Sequence, residues 1–359
     1  MDPGFPAFPI ILILGLLLVL IPLPWHLRSW NSGTSLYMIW IAIASINQLV
    51  NSIVWHDNTI DHAPIWCDIS SHLIIGISVA IPAASMCIMR LMYSITTGKS
   101  GSMRSQDRKH HLIIDLAIGI GLPVLEMIFS KLHRHRYNIF EDIGCFPALY
   151  FSPVAFALVA IWPLAINLVS AVYGALAIRA LMTRRNAINK FLAESNSSLS
   201  MGVYYRSMAL ASTEVVFAIP FNIYLIYNNT RHGILPWKGW EDAHSNFSRV
   251  LQIPSVEWTL DYEFFVAMEA TRWSIPICAF LFFFFFGFSG EARRIYRQVY
   301  EFCLRRVPFI PKEDNNKTTM STLIFTLPTT SYPPNPGADT FILNITKENT
   351  PALPEADLP

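Results

Sequence analysis

Two cysteines in polar stretches are the residues of this sequence whose placement most directly suggests covalent chemistry. Cys67 follows the acidic and aromatic stretch WHDNTIDHAPIW, and Cys145 lies near the end of HRHRYNIFEDIGCFP. If both stretches lie outside the cytosol, the two thiols could form a disulfide, because disulfides persist in oxidising compartments. Two free thiols are the alternative, since sequence spacing does not show whether they approach within bonding distance. A bridge would tie the second stretch, as a lid, to the apolar segment that begins at Cys67.

Ionisable and amide side chains within apolar segments form a second set of candidates. Such groups are costly at membrane depth and tend to face a bundle interior or a cavity. Glu269 and Arg272 are three residues apart and share a helix face, so they either pair with each other or contact a ligand. Pro220 could act as a hinge, with ordinary helix packing as the alternative. The candidates are Asn47, His72, Asp115, Glu126, Asn167, Glu214, Asn222, Glu269 and Arg272.

Other patterns argue against several kinds of site. The sequence contains no HExxH, GxSxG or P-loop motif, so we expect neither enzymatic activity nor a cofactor. His133 and His135 do not have the spacing of a metal site, and we expect no metal. Cys303 lies in a basic segment, a position typical of palmitoylation, with an unmodified thiol as the alternative. A net charge of +1 argues against a nucleic-acid partner.

The elements that must position these groups are membrane spans. Of the 359 residues, 53% are hydrophobic and 14% are charged, whereas soluble domains are about one quarter charged. Apolar runs of about twenty residues can cross a hydrocarbon core about 30 Å thick, and they do so as helices because the core offers no other hydrogen-bond partners. The sequence predicts an all-α membrane protein, a seven-helix bundle with spans at about 5–25, 34–54, 68–90, 111–130, 152–178, 205–228 and 268–288.

The distribution of Lys and Arg predicts the orientation of this bundle. An odd number of spans puts the two termini on opposite sides, and the connections richest in Lys and Arg are usually cytosolic. That bias places the N-terminus outside and the C-terminus in the cytosol. We expect a bundle over 1–290 and a basic juxtamembrane segment over 291–310. The tail, 311–359, is rich in Pro, Thr, Asn and Ser and is expected to be disordered in the cytosol.

Several short stretches resemble, in order along the chain, the a-factor-type branch of the fungal lipopeptide mating-pheromone receptors, which belong to class D of the G-protein-coupled receptors. These stretches are PLPWHLRSWNSG, INQLVNSIVW, IWCDIS, HRHRYNIFEDIGCFP, YYRSMALA and FGFSGEARRIYR. The signatures of rhodopsin-like receptors are missing, because the third predicted span ends in Met-Arg-Leu and the seventh has no NPxxY. The resemblance covers residues 5 to 300, and the combination of stretches is specific.

The resemblance implies a multi-pass receptor of the plasma membrane that binds a farnesylated peptide pheromone. Such a receptor needs polar contacts for the peptide and apolar walls for the lipid chain, whose buried CH₂ groups are worth about 0.8 kcal/mol each. The polar stretch that contains Cys145 would supply a charged rim, with a merely solvated loop as the alternative. The ligand contacts expected are Glu126, Arg134, Arg136, Glu141, Asp142, Glu269 and Arg272.

The same resemblance implies a heterotrimeric G protein on the cytosolic side, with oligomers of the receptor as a further expectation. Ligand binding would favour an arrangement in which the sixth span moves about Pro220. A polytopic transporter is the main alternative, although no internal repeat typical of transporters is evident; a membrane enzyme and a scaffold follow. The Gα contacts expected, for which a purely topological role is the alternative, are Arg104, Arg108, Arg184, Arg185, Lys190, Tyr205 and Arg206.

Overall fold

A computed structural model of the chain gives its fold. The structure describes residues 4–28, 31–97, 105–130, 136–148, 152–194, 201–231 and 248–288, with the single positions 233, 234, 236, 239 and 297. The chain divides into two units, Met1–Arg306 and Val307–Pro359, and the second unit lies outside the described residues. The predicted boundaries after 290 and 310 also fall outside the described residues, so the division of the chain into three parts stays a prediction.

The described chain is mostly helical, and six of its segments are long and apolar enough to cross a membrane. They coincide with the second to seventh predicted spans and cover Ser32–Val54, Pro64–Thr96, Lys109–Ser130, Pro153–Thr183, Met208–Thr230 and Tyr262–Phe286. The α-helices are α1 (Ala7–Leu20), α2 (Leu23–Arg28), α3 (Ser32–Val54), α4 (Pro64–Thr96), α5 (Ser105–Leu116), α6 (Leu122–Ser130), α7 (Pro153–Ala155), α8 (Ile161–Glu194), α9 (Met201–Thr230), α10 (Ser255–Trp258) and α11 (Tyr262–Phe286).

The first predicted span, over 5–25, is two helices. Helix α1 has 14 residues and is therefore about 21 Å long, which is less than the thickness of a hydrocarbon core, about 30 Å. Its last backbone bond runs from the N–H of Ile21 to the carbonyl of Leu17. Pro22 has no N–H to continue the series, so the helix ends there. The count of seven spans accordingly stays a prediction.

A proline also shapes the fourth predicted span. Pro123 cannot donate a backbone hydrogen bond to the carbonyl of Gly119, four residues earlier. The chain forms a π-helical turn, Ala117–Gly121, just before this proline. The indole Nε1 of Trp40 donates to the Gly119 carbonyl at 2.8 Å, so a carbonyl that the helix leaves unpaired joins this span to α3.

Helix α4 is the central element of the bundle and packs against α3, α6 and α8. Its buried positions include Ala80, Ala83 and Ala84, none of which has exposed surface. Small side chains favour close approach of helices inside a membrane, where lipid tails are as apolar as the helices themselves. The helix therefore positions side chains at both ends of the bundle.

A three-stranded sheet lies in the polar connections, and the prediction of a wholly α-helical fold missed it. Strand β1 (Asn138–Phe140) pairs antiparallel with β2 (Gly144–Phe146) and parallel with β3 (Leu251–Ile253), so the order is β2-β1-β3. Strands β1 and β2 precede α8, and β3 precedes α11. The sheet therefore joins two connections at the same end of the bundle, which we call the sheet end.

Candidate functional site

A cavity of about 650 Å³ lies at the sheet end, between α4, the π-helical turn Phe156–Ala160, α9, α11 and the sheet. Its volume is within the range of about 300–1,000 Å³ that is typical of ligand pockets. Most of the described lining is apolar, and Arg249 is the one ionisable residue within it. The polar residues of the lining are Ser78, Asn138, Asn222, Asn228, Asn229, Arg249 and Thr271.

The sheet separates this cavity from a cluster of buried apolar residues. Successive side chains of a strand point to opposite faces, and Asn138, Phe140 and Leu251 line the cavity from one face. On the other face, Ile139 and Cys145 pack in a cluster of buried residues around Trp55. The sheet is therefore a wall with one face toward the cavity and one face packed on the ends of α3 and α4.

A disulfide between Cys67 and Cys145 fixes β2 to the first turn of α4. The Cα atoms are 5.1 Å apart, and neither residue has exposed surface. These are the two cysteines that the sequence places in polar stretches. The structure thus ties the stretch HRHRYNIFEDIGCFP to the start of the third predicted span by the bond that the sequence left open, and its role as a lid stays a prediction.

Asn51, near the end of α3, is a second attachment point that sequence reasoning missed. Its Nδ2 donates to the hydroxyl of Ser70 at 2.9 Å and to the carbonyl of Cys145 at 3.4 Å. The indole of Trp66 donates to its Oδ1 at 2.8 Å. Gly144, with φ near +90°, packs so closely that an added Cβ would lie 2.7 Å from the Asn51 Cβ. The signal that could have identified Asn51 is its polar amide near the end of an apolar segment, within the quoted stretch INQLVNSIVW.

Glu141 and Asp142, two predicted ligand contacts, form the turn between β1 and β2. The Glu141 carboxylate accepts from the backbone N–H of Ser255 at 2.6 Å. Asp142 is 3% exposed, lies 3.0 Å from Nδ1 of His56, and accepts from the backbone N–H of Asp57 at 3.1 Å. Both carboxylates thus hold the hairpin to its neighbours, and neither residue lines the cavity.

The group formed by His56, Asp57 and Asp142 also has the residue types that bind metals. One potential ligand atom from each lies within 4.8 Å of the others. Hydrogen bonds between these residues account for the arrangement, because Asp142 is already bonded to the other two. The absence of a metal site, expected from the sequence, stays a prediction.

Arg136, another predicted ligand contact, pairs with Asp68 in the first turns of α4. Its Nε and Nη2 donate to the Asp68 carboxylate at 3.0 and 2.7 Å. The next residue, Tyr137, is fully buried and donates to Asp61 at 2.9 Å; its burial and this bond raise the pKa of the phenol. These contacts position the strand that follows. Arg134 lies outside the described residues.

Glu269 and Arg272 pair with each other on α11. The Arg272 Nη1 donates to Glu269 at 3.1 Å, and Trp273 donates to the other carboxylate oxygen at 3.0 Å. The Arg272 guanidinium also lies 4.0 Å from the ring centroid of Phe8 on α1, a cation–π contact. Neither residue lines the cavity, so the structure gives the pairing that the sequence had left as an alternative.

Glu126 on α6 is 3% exposed, and it does not line the cavity. One of its carboxylate oxygens, Oε1, has no hydrogen-bond partner among the described residues. A ligand contact of Glu126, like those of the other six predicted residues, stays a prediction.

The ends of α9 and α11 are clamped together beside the cavity. Arg231 contacts both Asp261 and Glu263. The Tyr224 hydroxyl and the Asn228 Nδ2 donate to the Glu263 carbonyl at 3.2 and 3.5 Å. Asp261 caps α11, and the bonds from Arg231 and from the backbone of Phe264 and Glu263 lower the pKa of its carboxyl. The sixth and seventh predicted spans are thus joined where they border the cavity.

A buried ion pair joins three helices at the opposite end of the bundle. The Arg90 Nη2 on α4 donates to Oδ1 of Asp115 on α5 at 2.6 Å and to the carbonyl of His111 at 3.2 Å. The hydroxyl of Ser32, at the start of α3, donates to the other Asp115 oxygen. Sequence reasoning singled out Asp115 but did not identify Arg90 as its partner.

The residues expected to contact a G protein lie at this opposite end or beyond the described side chains. Tyr205 is exposed and Arg206 is half-buried on α9. Pro220 is exposed within the same helix. Arg104 and Cys303 lie outside the described residues, as do the side chains, though not the helical backbones, of Arg108, Arg184, Arg185 and Lys190.

Comparison with known proteins connects this geometry to a family. A sequence model of the STE3 family, described as pheromone A receptor, matches residues 7–306. The chain belongs to this family. The STE3-family match includes the helices, the sheet and the cavity, so the fold described above is that of the shared region. The family match and the six membrane-competent helices together identify a multi-pass membrane protein.

Individual relatives support the same assignment. Over 307 residues the STE3-family chain is 42% identical to the pheromone B alpha 3 receptor of Schizophyllum commune, a match that covers 85% of this chain and 49% of that relative. It is 31% identical over 307 residues to pheromone receptor 1 of Mycosarcoma maydis, a match that covers 84% of this chain and 86% of that relative. It is 23% identical over 289 residues to the pheromone a factor receptor of Saccharomyces cerevisiae, a match that covers 79% of this chain and 59% of that relative. The chain spans about half the length of the Schizophyllum relatives.

Proposed function

We propose that the chain is a G-protein-coupled receptor of the plasma membrane whose ligand is a farnesylated peptide pheromone. The observation that carries the proposal is the cavity beneath a disulfide-tethered sheet in a chain of the STE3 pheromone A receptor family. In this proposal α1 and α2 together form the first of seven spans, the sheet end faces outward, and the C-terminus is cytosolic. The position of the disulfide at the sheet end supports this orientation, because disulfides persist outside the cytosol.

The lining of the cavity suits a lipidated peptide. Side chains such as Val159, Phe264 and Met268 offer an apolar surface for a prenyl chain, and each buried CH₂ contributes about 0.8 kcal/mol. Asparagine amides and Arg249 offer donors and acceptors for the polar part of a peptide. The charged rim formed by Arg134, Arg136, Glu141 and Asp142 would then act mainly by fixing the lid.

At the opposite end, we propose that Tyr205, Arg206 and the other basic residues named above contact Gα. Ligand binding in the cavity would favour a conformation in which α9 moves relative to α11, because both helices border the cavity. The hydrogen bond from Asn228 to Glu263 joins the two helices beside the cavity and would change with that movement.

Nucleotide exchange tests the proposed function. Vesicles that carry the full chain would be mixed with a fungal Gα, a panel of farnesylated pheromone peptides and the same peptides without the farnesyl group. We expect GTPγS binding to rise only with a lipidated peptide. If the protein is folded and none of the peptides in the panel raises GTPγS binding, the proposed function is contradicted.

Filling the cavity should weaken this response. Ala267 is 6% exposed and lies in the lining, so a phenylalanine there would occupy space that the ligand needs. For Ala267→Phe we expect the peptide concentration for half-maximal exchange to rise more than about tenfold, the equivalent of at least about 1.4 kcal/mol.

Ala175→Phe is the matched control for this variant. Ala175 is exposed on α8 and is not part of the lining, so the same increase in volume should leave the response unchanged. Equal losses of response in the two variants, at equal surface amounts, would argue against the cavity as the ligand site.

Replacing Pro220 by Leu should change basal exchange. Pro220 cannot donate to the carbonyl of Val216, and leucine would restore that bond and stiffen α9. If α9 bends at this point during signalling, the basal and stimulated rates of exchange should both shift by several-fold. Identical rates for the variant and the parent chain, at equal surface amounts, would count against a hinge at Pro220.

A further inference from the structure

Asn228 carries an oriented hydrogen-bond acceptor buried at the wall of the cavity. It lies in the last turn of α9, lines the cavity and is 7% exposed. Its Nδ2 donates to the backbone carbonyl of Glu263. A carbonyl only accepts, so the amide nitrogen must face α11 and the amide oxygen must point away from it. That oxygen, Oδ1, is buried and has no hydrogen-bond partner among the described residues.

The surroundings of Asn228 limit what can satisfy this oxygen. A buried acceptor without a partner is unfavourable, and an N–H or O–H donor would relieve that cost. The lining also contains apolar residues such as Leu225, Phe264 and Met268, beside a minority of polar ones that includes Asn229. The complementary ligand therefore has an apolar body and carries at least one donor. A hydrocarbon chain has no donor, whereas every peptide bond other than one before proline has an N–H.

We propose that Oδ1 of Asn228 accepts a hydrogen bond from one backbone N–H of the peptide part of the ligand, and that this bond contributes to the affinity for the peptide part. The inference rests on the proposed function and adds the group that the receptor reads. It also gives the ligand a route to α11, because the carboxamide that accepts from the ligand donates to Glu263 at the clamp between α9 and α11.

A second reading of Asn228 is attachment of a glycan, because Asn228, Asn229 and Thr230 form an N-glycosylation sequon. A glycan is attached at Nδ2, the atom that here donates to α11, and the side chain is buried. Thr230→Val separates the two readings, since it removes the sequon and leaves the Asn228 amide in place.

The test combines receptor variants with modified peptides. The probe is the farnesylated peptide of the panel that stimulates exchange most strongly, together with copies that are N-methylated at one backbone amide each. In the parent chain and in Thr230→Val, methylation at one position should raise the half-maximal concentration about five- to tenfold. In Asn228→Leu, which keeps the size of the side chain, the unmodified peptide should already be weaker by a similar factor. Methylation at that position should then change its response less than about twofold.

Each outcome bears on the inference. Coupling between Asn228→Leu and methylation at one position supports it. The inference is overturned if Asn228→Leu is as sensitive as the parent chain at every position, or if Thr230→Val reproduces the loss. Should Asn228→Leu fail to fold, the parent chain alone still decides, because insensitivity to methylation at every position excludes the bond. Stimulation of the parent chain by the unmodified peptide measures the proposed function separately.

Discussion

Replacing Asp115 by Ala should destabilise the chain by about 3–5 kcal/mol, as expected when one partner of a buried ion pair is removed. Asp115 is 2% exposed and the Arg90 side chain is 16% exposed, so the guanidinium would be left largely buried and without its counter-ion. Ser32 would lose its acceptor as well. Thermal unfolding of the full chain in detergent should show a melting temperature lower by roughly 10 °C.

Two further variants show whether the ion pair is the cause. Arg90→Met combined with Asp115→Leu removes both charges and fills their volume, and we expect it to recover most of the lost stability. Lys109→Ala removes an exposed charge from the same helix and should change stability by less than about 0.5 kcal/mol. A double variant as unstable as Asp115→Ala would mean that the helices depend on some other property of these side chains.

The positions of the spans could be predicted because they depend on local composition. An apolar run of about twenty residues must be helical inside a membrane whatever it contacts. The exception, at 5–25, also has a local cause, because Pro22 removes the next backbone donor after Ile21. The sheet could not be predicted in this way. Its strands have three residues each, and β1 pairs with β3 across more than a hundred residues of sequence.

The charged residues show a different limit of the sequence. Arg136, Glu141 and Asp142 have the residue types expected of a peptide-binding rim, but each bonds to another part of the chain. A sequence shows that a charge lies in a polar loop and does not show whether its partner is a neighbour or a ligand. The cavity instead takes most of its polar groups from asparagines, of which only Asn222 was among the polar residues singled out within the apolar segments.

Removing the disulfide should have the second large effect. Cys67 and Cys145 are 78 residues apart in sequence, and loss of a native disulfide that closes so long a loop typically costs about 2–5 kcal/mol. In Cys67→Ala we expect the sheet to lose its attachment to α4, with a lower melting temperature and a peptide response reduced at least tenfold. Thermal unfolding and GTPγS binding on the same preparation measure the two effects.

If the double variant loses no more stability and response than either single variant, the disulfide bond itself, and not either side chain, is responsible for the losses. Cys67→Ala, Cys145→Ala and the double variant should be equally impaired, because each lacks the same bond. Cys278→Ala removes a thiol from α11 and should keep most of the response. A reductant should impair the parent chain but not the double variant. Full response by the double variant would mean that Asn51, Asp142 and the pair formed by Arg136 and Asp68 hold the sheet over the cavity without the disulfide.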